Sequence, residues 1–163
     1  AAPADVPMKL AEAEFCTLRH ESEKAAGVYE KLLDRDPGNV VALNNLAWLL
    51  AADPATAPRA LALLDRAGRE AGVSAGLHDT RGRVRITLKQ FGPAERDLNE
   101  AIAQEPTAAL PWFHLAMLRL SLSAPQPNEA AQAFREAKAR GLDVRLIHPA
   151  DLATFRLLDA ANP

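Results

Sequence analysis

Cys16 and His20 stand at i, i+4, the spacing that puts two side chains on one helix face, and they are of types that could form a nucleophile with its base or two ligands of a metal. Nucleophilic chemistry also needs a third group to orient the base and donors for the developing oxyanion, and a metal needs further ligands. No such group accompanies this pair. The other histidines, His78, His114 and His148, are scattered, and there is no His-Glu-x-x-His, Cys-x-x-Cys, glycine-rich phosphate loop or Gly-x-Ser-x-Gly elbow. The carboxylates of Glu12 and Glu14, and of Glu21 and Glu23, read as solvated helix surface. The expectation is therefore no catalytic set, no cofactor, no metal and no enzymatic activity.

Recognition chemistry is better represented. In the run Arg81-Gly82-Arg83-Val84-Arg85, Arg81 and Arg85 share a helix face, and with Arg83 and Lys89 they oppose only Asp79. Guanidinium groups grip carboxylate and phosphate bidentately. The run could anchor an acidic or phosphorylated segment, or be satisfied internally by Asp65, Glu95 or Asp97. Nucleic acid is not expected: the formal charge is −2 and no aromatics interleave with the cations. Membrane insertion is not expected either, because no apolar run approaches the roughly 18 residues a span requires. Cys16 is the single cysteine, so an internal disulfide is impossible, and the compartment stays open.

The elements that must carry these side chains repeat. A small residue recurs as Ala13, Ala47, Gly82 and Ala116, and an alanine as Ala25, Ala60, Ala94 and Ala130, at steps of 34 to 36 residues. Four residues after each such alanine comes Tyr29, Leu64, Leu98 or Phe134, and three further on Leu32, Ala67, Ala101 or Ala137. Leu43, Leu46, Ala47 and Leu50 fall at i, i+3, i+4, i+7, one face of a helix. No stretch alternates as a strand would. Ser22, Thr56, Ser74 and Asn128 are expected to cap helices, Pro93 suits a first turn, and Gly38, Gly72, Gly92 and Gly141 are expected to end them. Helices are expected near 7–19, 22–35, 40–52, 57–71, 75–89, 93–105, 110–121, 128–140 and 149–160. A period in this range signals stacked helical hairpins.

The pattern resembles the tetratricopeptide repeat, W-x2-L-G-x2-Y then A-x3-F then P. Trp112, Leu115 and Ala116 followed by Ala130 and Phe134 match it best, and Leu43, Leu46, Ala47 and Leu50 with Ala60 and Leu64 come next. Arg81 and Arg85, and Lys9 and Glu12, depart from it. The resemblance implies an all-α, right-handed superhelix of about four such repeats, at 6–39, 40–74, 75–108 and 109–143. Residues 144–163 follow as a capping helix and tail, with Leu152, Phe155 and Leu158 as its apolar stripe, and 1–5 precede the repeats as a linker remnant of a longer chain that could hold a targeting signal.

The resemblance also implies that first helices line an inner, concave face. Counting from each small marker puts Asn44, Asn45, Trp48, Asp79, Arg83, Phe113, His114 and Met117 there. Trp48, Phe113 and Met117 would supply apolar contact and the asparagines polar clamps for a peptide backbone. A basic clamp for a C-terminal carboxylate is not expected, since only Asn45 matches that pattern and Leu10, Glu14, Gly76 and Thr80 replace the rest. The function expected is a protein–protein interaction scaffold holding a peptide or partner segment in the groove. The alternative is a spacer or oligomerisation module of a larger protein. A monomer is favoured, with a dimer through the C-terminal helix as the other arrangement.

Overall fold

The computed structural model describes residues 5–19 and 21–162. The described residues are all-α, without a strand: α1 Asp5–Leu18, α2 Ser22–Arg35, α3 Val40–Leu50, α4 Ala57–Ala71, α5 Ala75–Thr87, α6 Phe91–Gln104, α7 Leu110–Ser121 and α8 Pro127–Ala139. Two 3-10 turns, Val144–Leu146 and Pro149–Asp151, lead into α9, Leu152–Ala161. Asp5, expected to end a linker, instead opens α1, whose first turn continues through Val6 and Pro7, where proline is tolerated and an acidic side chain is favourable.

Consecutive helices pair: α1 on α2, α3 on α4, α5 on α6, α7 on α8. Each pair then packs on the next through α2 with α3, α4 with α5 and α6 with α7, and the first helices α3, α5 and α7 touch in series. The repeating residues explain this. Ala13, Ala47, Ala116, Ala25, Ala60, Ala94 and Ala130 are all fully buried, and Tyr29, Leu64, Leu98 and Phe134 are buried beside them. Small side chains let helix axes approach, and the large one fills the groove. Gly82 shows the limit: a Cβ there would lie 2.7 Å from Leu98 Cδ2. Thr87 Oγ1 donates to the Ala51 carbonyl (2.7 Å), tying the end of α5 to that of α3.

Helix ends follow backbone chemistry, with corrections to the expected caps. Ser74 accepts from Leu77 N–H (3.4 Å), and Asn39, not singled out from sequence, accepts from Ala42 N–H (3.0 Å). Thr56 flanks α4, but its hydroxyl turns back to the Leu50 carbonyl (2.8 Å). Ser22 and Asn128 lie inside first turns. Gly72 and Gly141 have positive φ, 78° and 75°, as helix-ending glycines should. Gly92 does not end a helix; it is the second residue of α6. The left-handed position after α5 falls to Lys89 (φ 57°), with Lys89 N–H bonding to Ile86 and Gln90 N–H to Arg85, a complete Schellman closure on a non-glycine residue.

Candidate functional site

The face made by α1, α3, α5 and α7 carries the residues expected to meet a partner, and the structure divides them in two. At the α1–α3 end is an open pocket of about 330 Å³. Asn44, Asn45 and Trp48 of α3 line it, with Glu14 of α1, Leu110 of α7 and Leu146 from the first 3-10 turn. Asn45 is fixed in place: its amide donates to Tyr29 Oη (3.1 Å). Burial raises the Tyr29 pKa, the Asn45 bond partly opposing it, so the phenol stays neutral at physiological pH. Asn44 donates to Asn45 Oδ1 at 3.4 Å, but its own Oδ1 is buried with no hydrogen-bond partner. A buried carbonyl oxygen left bare costs about 1–3 kcal/mol.

The rest of the face departs from expectation. Asp79, Arg83, Phe113, His114 and Met117 are buried, so no visitor reaches them in this conformation. Their cover is the chain's own C-terminal stretch. Asp151 Oδ2 accepts from Arg83 Nε at 2.7 Å, the His148 ring stands edge-on to Trp48 with centroids 4.6 Å apart, and Phe155 meets Phe113 and Phe134 at 6.2 and 5.6 Å. Beneath them His114 Nδ1 donates to Asp79 Oδ1 (2.7 Å). The physical reason is that Phe113 and Met117 present apolar surface and Arg83 a charge, and a chain end of matching chemistry lies within reach to cover both. The expected apolar stripe of the tail is used, Leu158 being buried and Leu152 and Phe155 packed on the same cluster. Neither His148 nor Asp151 was singled out as a partner from sequence. The signal available was Arg83, a charge on a face otherwise set to be covered.

His148 is poised between opposite charges. Burial depresses its pKa first and Arg83 further, Asp151 opposing, to about 4. Its Nδ1 accepts the Ala150 N–H (3.2 Å), a bond only an unprotonated nitrogen can make.

Each cation of the arginine run is paired with a carboxylate of the chain itself, Arg81 and Arg85 with Asp97 and Arg83 with Asp151. Arg81 donates to both Asp97 oxygens through Nε and Nη2, Arg85 Nη1 donates to Asp97 Oδ2, and Asp97 is buried between them. The Asp97 bonds raise the Arg81 pKa further. Cys16 is half-buried and free, while its expected companion His20 lies outside the described residues. Among the described residues no group of three or more His, Cys, Asp or Glu could hold a metal, and no helix is long and apolar enough to cross a membrane.

Residues 28–68 match the family model of the tetratricopeptide repeat. The chain is similar in structure to MamA, over 79% of this chain and 74% of that one, with 20% identity and a TM-score of 0.59. It is also similar to PilW, a widely conserved type IV pilus biogenesis factor, over 98% of this chain and 87% of that one, with 19% identity and a TM-score of 0.57. At such identity these likenesses concern the fold alone. No curated protein sequence matches.

Proposed function

We propose that this chain, which carries a tetratricopeptide repeat within a stack of helical hairpins, is a protein-interaction scaffold that takes up an apolar side chain of a partner segment in the pocket between α1, α3 and the first 3-10 turn. The observation that carries this is the pocket itself, whose Trp48, Leu110 and Leu146 offer apolar walls beside the polar Asn44 and Asn45. A peptide inserting an aliphatic or aromatic anchor there would take apolar surface out of water on both sides. Such a scaffold holds partners near one another and has no bond chemistry of its own, no cofactor and no metal. The helix pairs support dividing it into repeats at 6–39, 40–74, 75–108 and 109–143, with 144–163 as cap and tail.

The test is selection from a random displayed-peptide library against the unmodified chain, Trp48→Ala and Leu146→Ala, each first shown to keep its helical circular dichroism. The unmodified chain should enrich peptides sharing one large apolar anchor, and both variants should lose them. Enrichment that survives both substitutions, or none at all on the unmodified chain, would overturn the assignment.

A further inference from the structure

We propose that Ile147–Phe155 is a built-in ligand of the surface formed by the first helices together with Phe134 of α8, and that this surface accepts a partner segment placing a carboxylate on Arg83 and an aromatic ring on Phe113 and Phe134 in competition with it. This goes beyond the pocket: Arg83, Phe113 and Phe134 do not line it, so the two ideas fail separately.

The tail is attached as a bound peptide is. Among the described residues, the backbone N–H bonds of Leu142 through Asp151 close within that stretch or on Ala137 at the end of α8, and none reaches α1 to α7. What holds it across α3, α5 and α7 is a set of side-chain keys: His148 on Trp48, Asp151 on Arg83, Phe155 on Phe113. A few anchors in matching pockets, with little main-chain pairing, is the anatomy of a recognition contact.

The reader is not demanded by the repeat. The place of Arg83 is taken by Glu14, Trp48 and Met117 in the other units, so an arginine there is a particular of this one. It is 2% exposed, and Asp151 is its carboxylate partner. That partner is also incomplete. Asp151 engages Nε, while Arg83 Nη1 is buried with no hydrogen-bond partner. A guanidinium fork is matched best by a carboxylate that takes two parallel N–H bonds. A partner carboxylate in bidentate geometry would therefore improve on the tail, which gives exchange a direction.

Release is geometrically simple. Gly141 (φ 75°) ends α8, with Gly141 N–H on Lys138 and Leu142 N–H on Ala137, so the repeats are closed before the tail begins. At the far end α9 is tied to α8 by the exposed and weak pairs Lys138–Asp159 and Arg135–Asn162, and by Phe155 and Leu158 on the α7–α8 cluster, an apolar contact that the partner's aromatic ring would replace in part.

The experiment uses the full chain and, as probe, a labelled synthetic peptide with the sequence of residues 144–158, followed by fluorescence anisotropy. Binding should be roughly tenfold tighter to the Asp151→Asn chain, whose own tail competes less, than to the unmodified chain. Peptides carrying Asp151→Asn or Phe155→Ala should bind roughly tenfold more weakly. Equal binding to both chains, or no loss with the altered peptides, would overturn the proposal. Should Asp151→Asn lose its helical signal, Phe155→Ala serves as the loosened chain. Hydrogen exchange on the unmodified chain gives a readout free of substitutions: amides of 144–158 should exchange roughly a hundredfold faster than those of α7 and α8. Exchange at the same rate would show that the tail opens only with the whole fold. A doubled mass of the unmodified chain by light scattering would give the face to a second copy's tail and overturn the partner proposed.

Discussion

Asp151 stands 68 residues along the chain from Arg83, yet its Oδ2 lies 2.7 Å from Arg83 Nε with both side chains nearly out of water. One bond therefore joins the turn before α9 to α5, the first helix of the third hairpin. Two charges withdrawn from water are stable there chiefly because they face each other, and either one alone is a liability.

That mutual dependence is measurable. Arg83→Met and Asp151→Leu should each destabilise the chain in urea unfolding. The double variant should lose less than the sum of the two, with a coupling of about 1–3 kcal/mol. Additive losses would mean the two side chains act independently, and the ion pair would then explain nothing about how the tail is held.

Stability should fall as the solution is acidified, through His148. Its folded pKa is near 4, below the ordinary value of 6.5, so between those values the unfolded chain binds a proton that the folded chain refuses. The contribution is present in full above pH 6.5 and disappears as pH falls towards 4; at about 1.4 kcal/mol per unit it is on the order of 3 kcal/mol. The groups acting on the ring are Arg83, Asp151 and His114. His148→Gln should flatten the dependence in this window when midpoints of urea unfolding are compared at pH 7, 5.5 and 4.5. An unchanged slope would place the titration elsewhere.

Gly82 and Gly76 lie on the same helix and should answer oppositely to alanine. A methyl at Gly82 meets Leu98 at 2.7 Å, and overpacking of this kind costs about 1–3 kcal/mol. Nothing lies within 4 Å of a Cβ at Gly76, so there the gain in helix propensity, about 0.5–1 kcal/mol, stands alone. Calorimetry should show the melting temperature moving down for Gly82→Ala and up for Gly76→Ala. A rise for both would show that Leu98 yields freely and that α5 and α6 are not tightly seated.

How far the sequence could be read follows from which contacts are local. Ala47, Ala60 and Leu64 were identifiable because a helix face repeats every three or four residues and a hairpin every 34 or so, and all three are buried as that spacing requires. Caps were legible where one side chain suffices, as at Ser74, and misleading where a competing acceptor lies nearby, as the Leu50 carbonyl does for Thr56. Lys89 in a left-handed conformation contradicts residue preference because the packing of α5 on α6 fixes where the turn must fall. The division of the first-helix face was beyond spacing altogether. Trp48, Arg83 and Met117 occupy matching places in their repeats, and only the path of a chain end 30 or more residues beyond Met117 decides that Met117 and Arg83 are covered while Trp48 keeps one side open.

Leu146 gives the pocket one wall, yet it belongs to the stretch that covers Arg83. The cavity beside Asn44 is thus partly built by the tail and is dismantled when the tail departs. A guest resting on Leu146 would hold the latch shut, and a guest that took Arg83 would demolish the first one's berth. On the two readings proposed above, each guest would by linkage weaken the other by the same factor, so the pocket and the Arg83 face would compete for one shared stretch of tail.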